Sequence, residues 1–316
     1  MRQAVLTEPR RFTIADVPPP PIGSGEVLLR VAACGVCASE LYIYQGAAGH
    51  AVYPWHPGHE VSGVVEEAGE RVAGLGPGDP VAVWVTAGGY GEYVAAPAEH
   101  CFPAGDVPLE LASLAEPLAC AVNAVELAGV RLGDDVAIVG AGFMGQLVLR
   151  LVLLRGPRRV VVADTRDDAL ARAAAAGATA TVNPARDDLA EAVLDATGGA
   201  GADVTIEITG TQAALAAIGA CTRMSGTLVI AGYHQGPPRQ VPLADWNWNA
   251  FRIANAHFRD VATILGGMRA AMRLVTSGRL SLEGLVTHRF PLATIDQAFR
   301  TAIEKPEGYV KATVTP

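Results

Sequence analysis

The sequence predicts an α/β protein of two domains: a mostly antiparallel, discontinuous β domain and a doubly wound parallel-sheet domain. Three observations carry this. The chain has 316 residues, and at roughly 150 residues per domain that is room for two, each with a large core. Up to about residue 115 the texture is short β-like runs broken by Gly and Pro. From about residue 119 apolar strands alternate with Ala-rich helical stretches.

In the first region "EVLLRVAA", "HEVSGVVEEAG", "DPVAVWV" and "GEYVAAP" read as strands, with "PPPPIGSGE" and "GLGPGDP" as the turn clusters between them. In the second, "DVAIVG" is followed by "FMGQLVLRLVLLRG", "RVVVADT" by "RDDALARAAAAGA", and "ADVTIEITG" by "TQAALAAIGACTRM" and "GTLVIAG". Such alternation implies βαβ units and a parallel sheet covered on both faces. After about residue 257 the series stops, and a helix-like "VATILGGMRAAMRLVTSGRL" leads into "LVTHRFPL", "ATIDQAFRTAIEK" and a final strand "YVKATVT". This tail is expected to pack back on the first domain, giving a β domain of residues 1–118 and 258–316 with residues 119–257 inserted.

Half of the residues are hydrophobic and 18% are charged, the balance of a compact globular chain. A net charge of -8 argues against a general nucleic-acid surface, which needs clustered basic groups, so the expected partners are small molecules. The opening "MRQAVLTEPRRF" lacks the apolar core and cleavage site of a secretory signal. The most apolar helical stretch, interrupted by Arg150, is too short to span a bilayer, so no membrane association is expected. Five irregularly spaced cysteines suit a reducing compartment better than a disulfide framework, and a cytoplasmic location follows.

"DVAIVGAGFMGQ" presents a strand and then Gly140, Gly142, Phe143, Met144 and Gly145 in G-x-G-x-x-G spacing at the opening of a helix. The first glycine permits the tight turn, the second lets backbone approach a pyrophosphate, and the third allows close helix–strand packing. The helix N-terminus supplies free N–H groups and partial positive charge to the anion. "RVVVADT" ends the next strand on Asp164, at the distance where a carboxylate accepts the ribose hydroxyls of NAD and repels the 2'-phosphate of NADP. Arg166, two residues on, softens that preference by offering a phosphate partner. NAD is therefore expected ahead of NADP.

"ACGVCASEL" contains Cys34 and Cys37, which alone read equally as a redox pair, half of a zinc knot, or one ligand beside a bystander. "YPWHPGHEVSGVV" presents His59 and Glu60 behind a Pro-Gly turn, and "LAEPLACAV" presents Glu116 before Pro117. Thiolate, imidazole and carboxylate all bind Zn²⁺, and catalytic sites use three protein ligands with an open fourth position. Singly, each has a plain alternative: Glu116 complements a helix dipole, and His59 serves as a core histidine.

Along nearly its whole length the chain resembles the zinc-dependent medium-chain dehydrogenases, the alcohol and sorbitol dehydrogenase superfamily. The resemblance rests on "GEVLLRVAACGVCASEL", "HPGHEVSGVVEEAGERVAGLGPGDPVAV", "GGYGEYVAAP", "AEPLACAVNAV", "VAIVGAGFMGQLV" and "GYVKATV". It implies a GroES-like catalytic domain and a Rossmann dinucleotide-binding domain. It further implies that Cys37 and His59 hold a catalytic zinc, that Glu60 stands beside or on the metal, and that Glu116 is the carboxylate the sorbitol-dehydrogenase branch places at or near zinc. Cys34 matches a position without metal. Ser39 matches the hydroxyl that passes the alcohol proton toward the cofactor ribose.

Three departures qualify the resemblance. Many relatives carry a structural zinc on a lobe of four cysteines, whereas "AVWVTAGGYGEYV" has none, so one zinc per chain is expected. Where some alcohol dehydrogenases place a relay histidine, this chain has Tyr42, a poor proton shuttle at neutral pH with an ordinary pKa of about 10; His50 is a substitute candidate. Residues 233–260 are unusual, and His234, Trp246, Trp248, His257 and Arg259 are candidates for a polar, aromatic pocket, with the tryptophans equally suited to a core or interface and Arg259 to a local ion pair with Asp260.

The expected activity is hydride transfer between a secondary alcohol (a polyol, cyclitol or sugar-derived alcohol, or the matching ketone) and NAD, in a homodimer or homotetramer. Zinc, a Lewis acid, favours the deprotonated alcohol, and the cofactor carries the redox step. The alternatives are a zinc-free quinone or enoyl reductase of the same fold, against which Cys37, His59 and Glu60 count, and a non-catalytic dinucleotide-binding protein.

Overall fold

The computed structural model describes residues 1–47 and 52–316. The chain divides into two compact units, Met1–Ala119 with Ile264–Pro316, and Cys120–Thr263. The first unit builds β1 (Arg2–Glu8), β2 (Arg11–Asp16), β3 (Glu26–Gly35), α1 (Ala38–Tyr44), β4 (Glu60–Ala68), β5 (Pro80–Trp84), β6 (Tyr93–Pro97), β7 (Cys101–Pro103) and α2 (Leu109–Ala112). Helix α3 (Ala115–Ala128) leads into the second unit, with β8 (Asp135–Val139), α4 (Phe143–Leu153), β9 (Arg159–Ala163), α5 (Asp167–Ala175), β10 (Ala180–Val182), α6 (Leu189–Ala196), β11 (Ala202–Glu207), α7 (Gln212–Ala217), β12 (Thr222–Ile230), α8 (Leu243–Trp248) and β13 (Arg252–Asn255). Helix α9 (Val261–Thr276) returns the chain to the first unit, completed by β14 (Val286–Pro291), α10 (Ile295–Glu304) and β15 (Lys311–Thr315).

The first unit is a β domain around a seven-stranded sheet in the order β14-β15-β3-β4-β5-β7, with β6 pairing β3. Val27, Leu29 and Val31 are buried at alternate positions of β3, the period-2 signature of one face on a core. Helix α10 supplies Ile295, Ala298, Phe299 and Ala302 at helical spacing to the same core. Phe299 packs against Phe12, Tyr44 and Tyr90 at ring-centroid distances of 4.9, 5.0 and 5.7 Å. The register that matters for the site is local. Gly35 at the end of β3 lies opposite Glu60 at the start of β4 and opposite Thr313 of β15.

The second unit is a six-stranded parallel sheet in the order β10-β9-β8-β11-β12-β13. Its central strand β8, "DVAIV", is buried at all five positions, as a parallel strand covered on both faces must be. Helix α6 is capped by Asp188, whose side chain accepts the Glu191 N–H at 2.9 Å. Among the described residues no helix is long and apolar enough to cross a membrane.

Candidate functional site

The side chains competent to ligate a metal meet where β3 ends and β4 begins. Cys37 follows β3 by two residues and stands at the N-cap of α1, while His59 immediately precedes β4 and Glu60 opens it. The antiparallel register of Gly35 with Glu60 brings these neighbourhoods together. One ligand atom from each of Cys37, His59 and Glu60 lies within 4.8 Å of the other two. Tetrahedral zinc, with bonds of about 2.0–2.3 Å, sets its ligands about 3.3–3.8 Å apart, so small rotamer changes close this group onto an ion.

Glu60 is 1% exposed. Lys311 Nζ lies 2.7 Å from each of its oxygens, but only the bond to Oε1 is aligned, leaving Oε2 buried without a donor. That carboxylate oxygen, ion-paired to Lys311 but without an aligned hydrogen bond among the described residues, stands beside a thiol and an imidazole and fits a cation. Burial disfavours charge on Lys311, yet the Glu60 carboxylate and the Cys37 thiolate hold its pKa above the ordinary value. Gly35 makes the geometry possible, because a Cβ there would stand 2.0 Å from Glu60 Oε2.

Sequence reasoning missed Glu40. It is 1% exposed and accepts from the Gly58 N–H at 2.8 Å and from the Tyr90 hydroxyl at 2.7 Å. Its Oε1 lies 2.9 Å from His59 Nδ1, and since an ionised carboxylate only accepts, Nδ1 carries a proton and Nε2 is the nitrogen left for a metal. Burial pushes Glu40 upward, but His59 and the bonds from Tyr90 and Gly58 hold it below the usual carboxylate range. Burial likewise opposes charge on His59, and the Cys37 thiolate and Glu40 carboxylate outweigh it, raising the imidazole well above its ordinary value. The available signal was spacing: an acid three residues after Cys37, on the first turn of α1.

The Ser39 hydroxyl donates to Cys37 Sγ at 3.2 Å. Tyr42 is half-buried on α1. His50 lies outside the described residues. Glu116 is half-buried in the first turn of α3 and is not part of the Cys37, His59 and Glu60 group. Cys34 is fully buried in the core and forms no disulfide; burial, then the charges of Glu40 and Glu60, raise its thiol well above the ordinary value.

In the second unit Gly140 turns at φ +117°, a conformation that side chains rarely adopt. A Cβ on Gly145 would stand 1.9 Å from the Gly140 carbonyl oxygen, so only glycine lets α4 pack this close. Gly142 is the N-cap of α4 with no side chain capping it, and a Cβ there would meet only Arg166, at 4.0 Å. Phe143 and Met144 are half-buried in the first turn. Asp164 accepts the Ala141 N–H at 2.7 Å and the Arg166 N–H at 2.9 Å, and Arg166 Nε lies 3.8 Å from it. The carboxylate thus ties the end of β9 to the glycine loop.

Residues 233–260 separate into unlike parts. His234 lies 2.8 Å from the fully buried Glu207, and His257 lies 2.9 Å from the Gly232 carbonyl and packs at a tilt against Tyr233. Trp246 is not a pocket residue: at 3% exposure it sits in the core of the second unit, whereas Trp248 is 81% exposed. Asp260 is engaged by the Thr263 N–H and hydroxyl, both at 2.8 Å, so its role is to cap α9.

Two family models match the chain, the alcohol dehydrogenase GroES-like domain over residues 23–106 and the zinc-binding dehydrogenase over residues 144–277. An erythritol/L-threitol dehydrogenase of Mycolicibacterium smegmatis is 30% identical, over 100% of this chain and 98% of the relative. A sorbitol dehydrogenase of Gallus gallus is 32% identical, over 92% of this chain and 90% of that one. Among solved structures, a candidate zinc-binding dehydrogenase from Sinorhizobium meliloti bound to NADP superposes with a TM-score of 0.88 at 26% identity, over 100% and 99% of the two chains. With two matching family models and relatives of 30% and 32% identity aligned over most of both chains, the chain belongs to the zinc-dependent medium-chain alcohol dehydrogenase superfamily.

Proposed function

We propose that this alcohol dehydrogenase oxidises a secondary alcohol of the polyol, cyclitol or sugar-derived class with NAD, using one zinc held by Cys37, His59 and Glu60. The observation that carries the reading is the approach of those three ligand atoms to within 4.8 Å. Glu60 is preferred to Glu116 as the third ligand because it belongs to that group and keeps Oε2 without an aligned donor. Those three residues would hold the zinc, whose Lewis acidity would favour deprotonation of the substrate alcohol. Glu40 holds the His59 tautomer, Lys311 balances the Glu60 charge, and the Ser39 hydroxyl relays the proton of the substrate alcohol, taking it up as it passes its own proton on toward the cofactor ribose. The polyol class follows from the erythritol/L-threitol and sorbitol dehydrogenases among the relatives.

The cofactor half of the proposal rests on Asp164 at the end of β9. Its carboxylate, already anchored to the glycine loop through Ala141, accepts the ribose hydroxyls of NAD and repels a 2'-phosphate. The NADP-bound relative makes this worth testing directly: Asp164→Ala should relax discrimination against NADP. The decisive experiment is a screen of polyols, cyclitols and amino alcohols for NADH appearance by zinc-loaded protein. Full activity after exhaustive chelation, or in Cys37→Ala, would overturn the reading.

A further inference from the structure

Tyr90 sits in the short segment between β5 and β6, far in sequence from every metal-ligating residue, yet it touches three parts of the site's support. Its hydroxyl lies 2.7 Å from Glu40 Oε2 and 2.8 Å from the Gly35 carbonyl oxygen. Its backbone lies against the turn that carries His59: a Cβ on Gly58 would stand 2.6 Å from Tyr90 N, and Gly58 O accepts the Gly89 N–H at 3.0 Å. The ring is fixed edge-on against Phe299 and is 1% exposed. Burial, and then the Glu40 charge, keep the phenol protonated well beyond its ordinary range, so the hydroxyl acts as a donor.

We propose that Tyr90 is a positioning residue of the metal site: its hydroxyl locks Glu40, and through Glu40 fixes the orientation and tautomer of His59. The proposal rests on the metal reading above. Glu40 Oε1 is engaged by Gly58 N and His59 Nδ1, and Tyr90 is the close donor to the other oxygen. Without it, Oε2 would be left with only the 3.5 Å approach of Cys37 N. The carboxylate is then anchored through Oε1 alone, and the partner of the imidazole loses its second fixed point. Hydrogen-bond partners of metal-ligating histidines characteristically set metal affinity in this way.

The test is Tyr90→Phe, which removes one oxygen and keeps the ring. Zinc affinity, read by competition with a chromophoric chelator, should fall by about 10- to 100-fold, and the visible absorption band of the cobalt(II)-substituted protein should shift. In a Glu40→Gln background the same change should cost no more than about twofold, since coupled residues are non-additive. Unchanged affinity with an unshifted cobalt band would overturn the proposal. So would an equal loss in both backgrounds, which would assign the hydroxyl to the Gly35 carbonyl alone. If Tyr90→Phe does not fold, zinc-loaded wild type decides by NMR: the Tyr90 hydroxyl proton must be protected from exchange, and rapid exchange rejects the role. Wild type that binds neither ion would sink the metal reading itself, and this proposal with it.

Discussion

At the scale of single side chains the candidate metal site is a problem in charge balance. Cys37, Glu40 and Glu60 bring up to three negative charges together, and Lys311 and His59 answer them. The folded pKa of His59 is raised above its ordinary 6.5. Its contribution to the stability of metal-free protein is therefore complete below about pH 6.5 and is lost as pH rises through the raised value. Zinc needs the neutral imidazole, so binding must expel that proton and should tighten as pH rises across this window. Calorimetric titration of zinc in buffers of different ionisation enthalpy should show net proton release at neutral pH; affinity independent of pH would contradict the assignment. Lys311, 4% exposed, supplies a second prediction. Lys311→Met leaves the Glu60 charge buried and unbalanced, and loss of one partner of a buried pair costs about 3–5 kcal/mol. Urea unfolding of metal-free protein should show that loss, and saturating zinc should recover more stability in the variant than in wild type.

At the scale of elements, the unit β8–loop–α4 shows what glycine spacing achieves. Gly145→Ala would drive a Cβ to 1.9 Å from the Gly140 carbonyl oxygen, so α4 must move away from β8 and its N-terminal amides with it. NADH binding, followed by quenching of intrinsic fluorescence, should be lost or severely weakened while metal affinity is retained. This loop was legible because every determinant lies within six residues of one strand–helix junction. Cys37, His59 and Glu60 were legible as residue types, and it is the pairing of β3 with β4 that brings them together. Glu40 was not, because its meaning depends on Gly58 and Tyr90, 18 and 50 residues away, which local spacing does not encode. Trp246 and Trp248 illustrate the same limit. Two residues apart on one short helix, they face opposite environments, and only the packing of α8 on its own sheet distinguishes them.

At the scale of the whole molecule, the candidate metal and cofactor residues are carried by different units. Cys37, His59, Glu60, Glu40 and Tyr90 all belong to Met1–Ala119, while Gly140, Gly142, Gly145 and Asp164 belong to Cys120–Thr263. A ligand that binds only the folded state stabilises the part that holds it, by about 4.1 kcal/mol at a free concentration about 1,000 times Kd. Zinc removal should therefore destabilise the β unit selectively. Three measurements on chelated protein check this together. Turnover should vanish, the calorimetric transition of the β unit should move to lower temperature, and NADH affinity should stay at its zinc-loaded value. NADH affinity falling in step with zinc occupancy would show that the two functions are not separable along the boundary between the units.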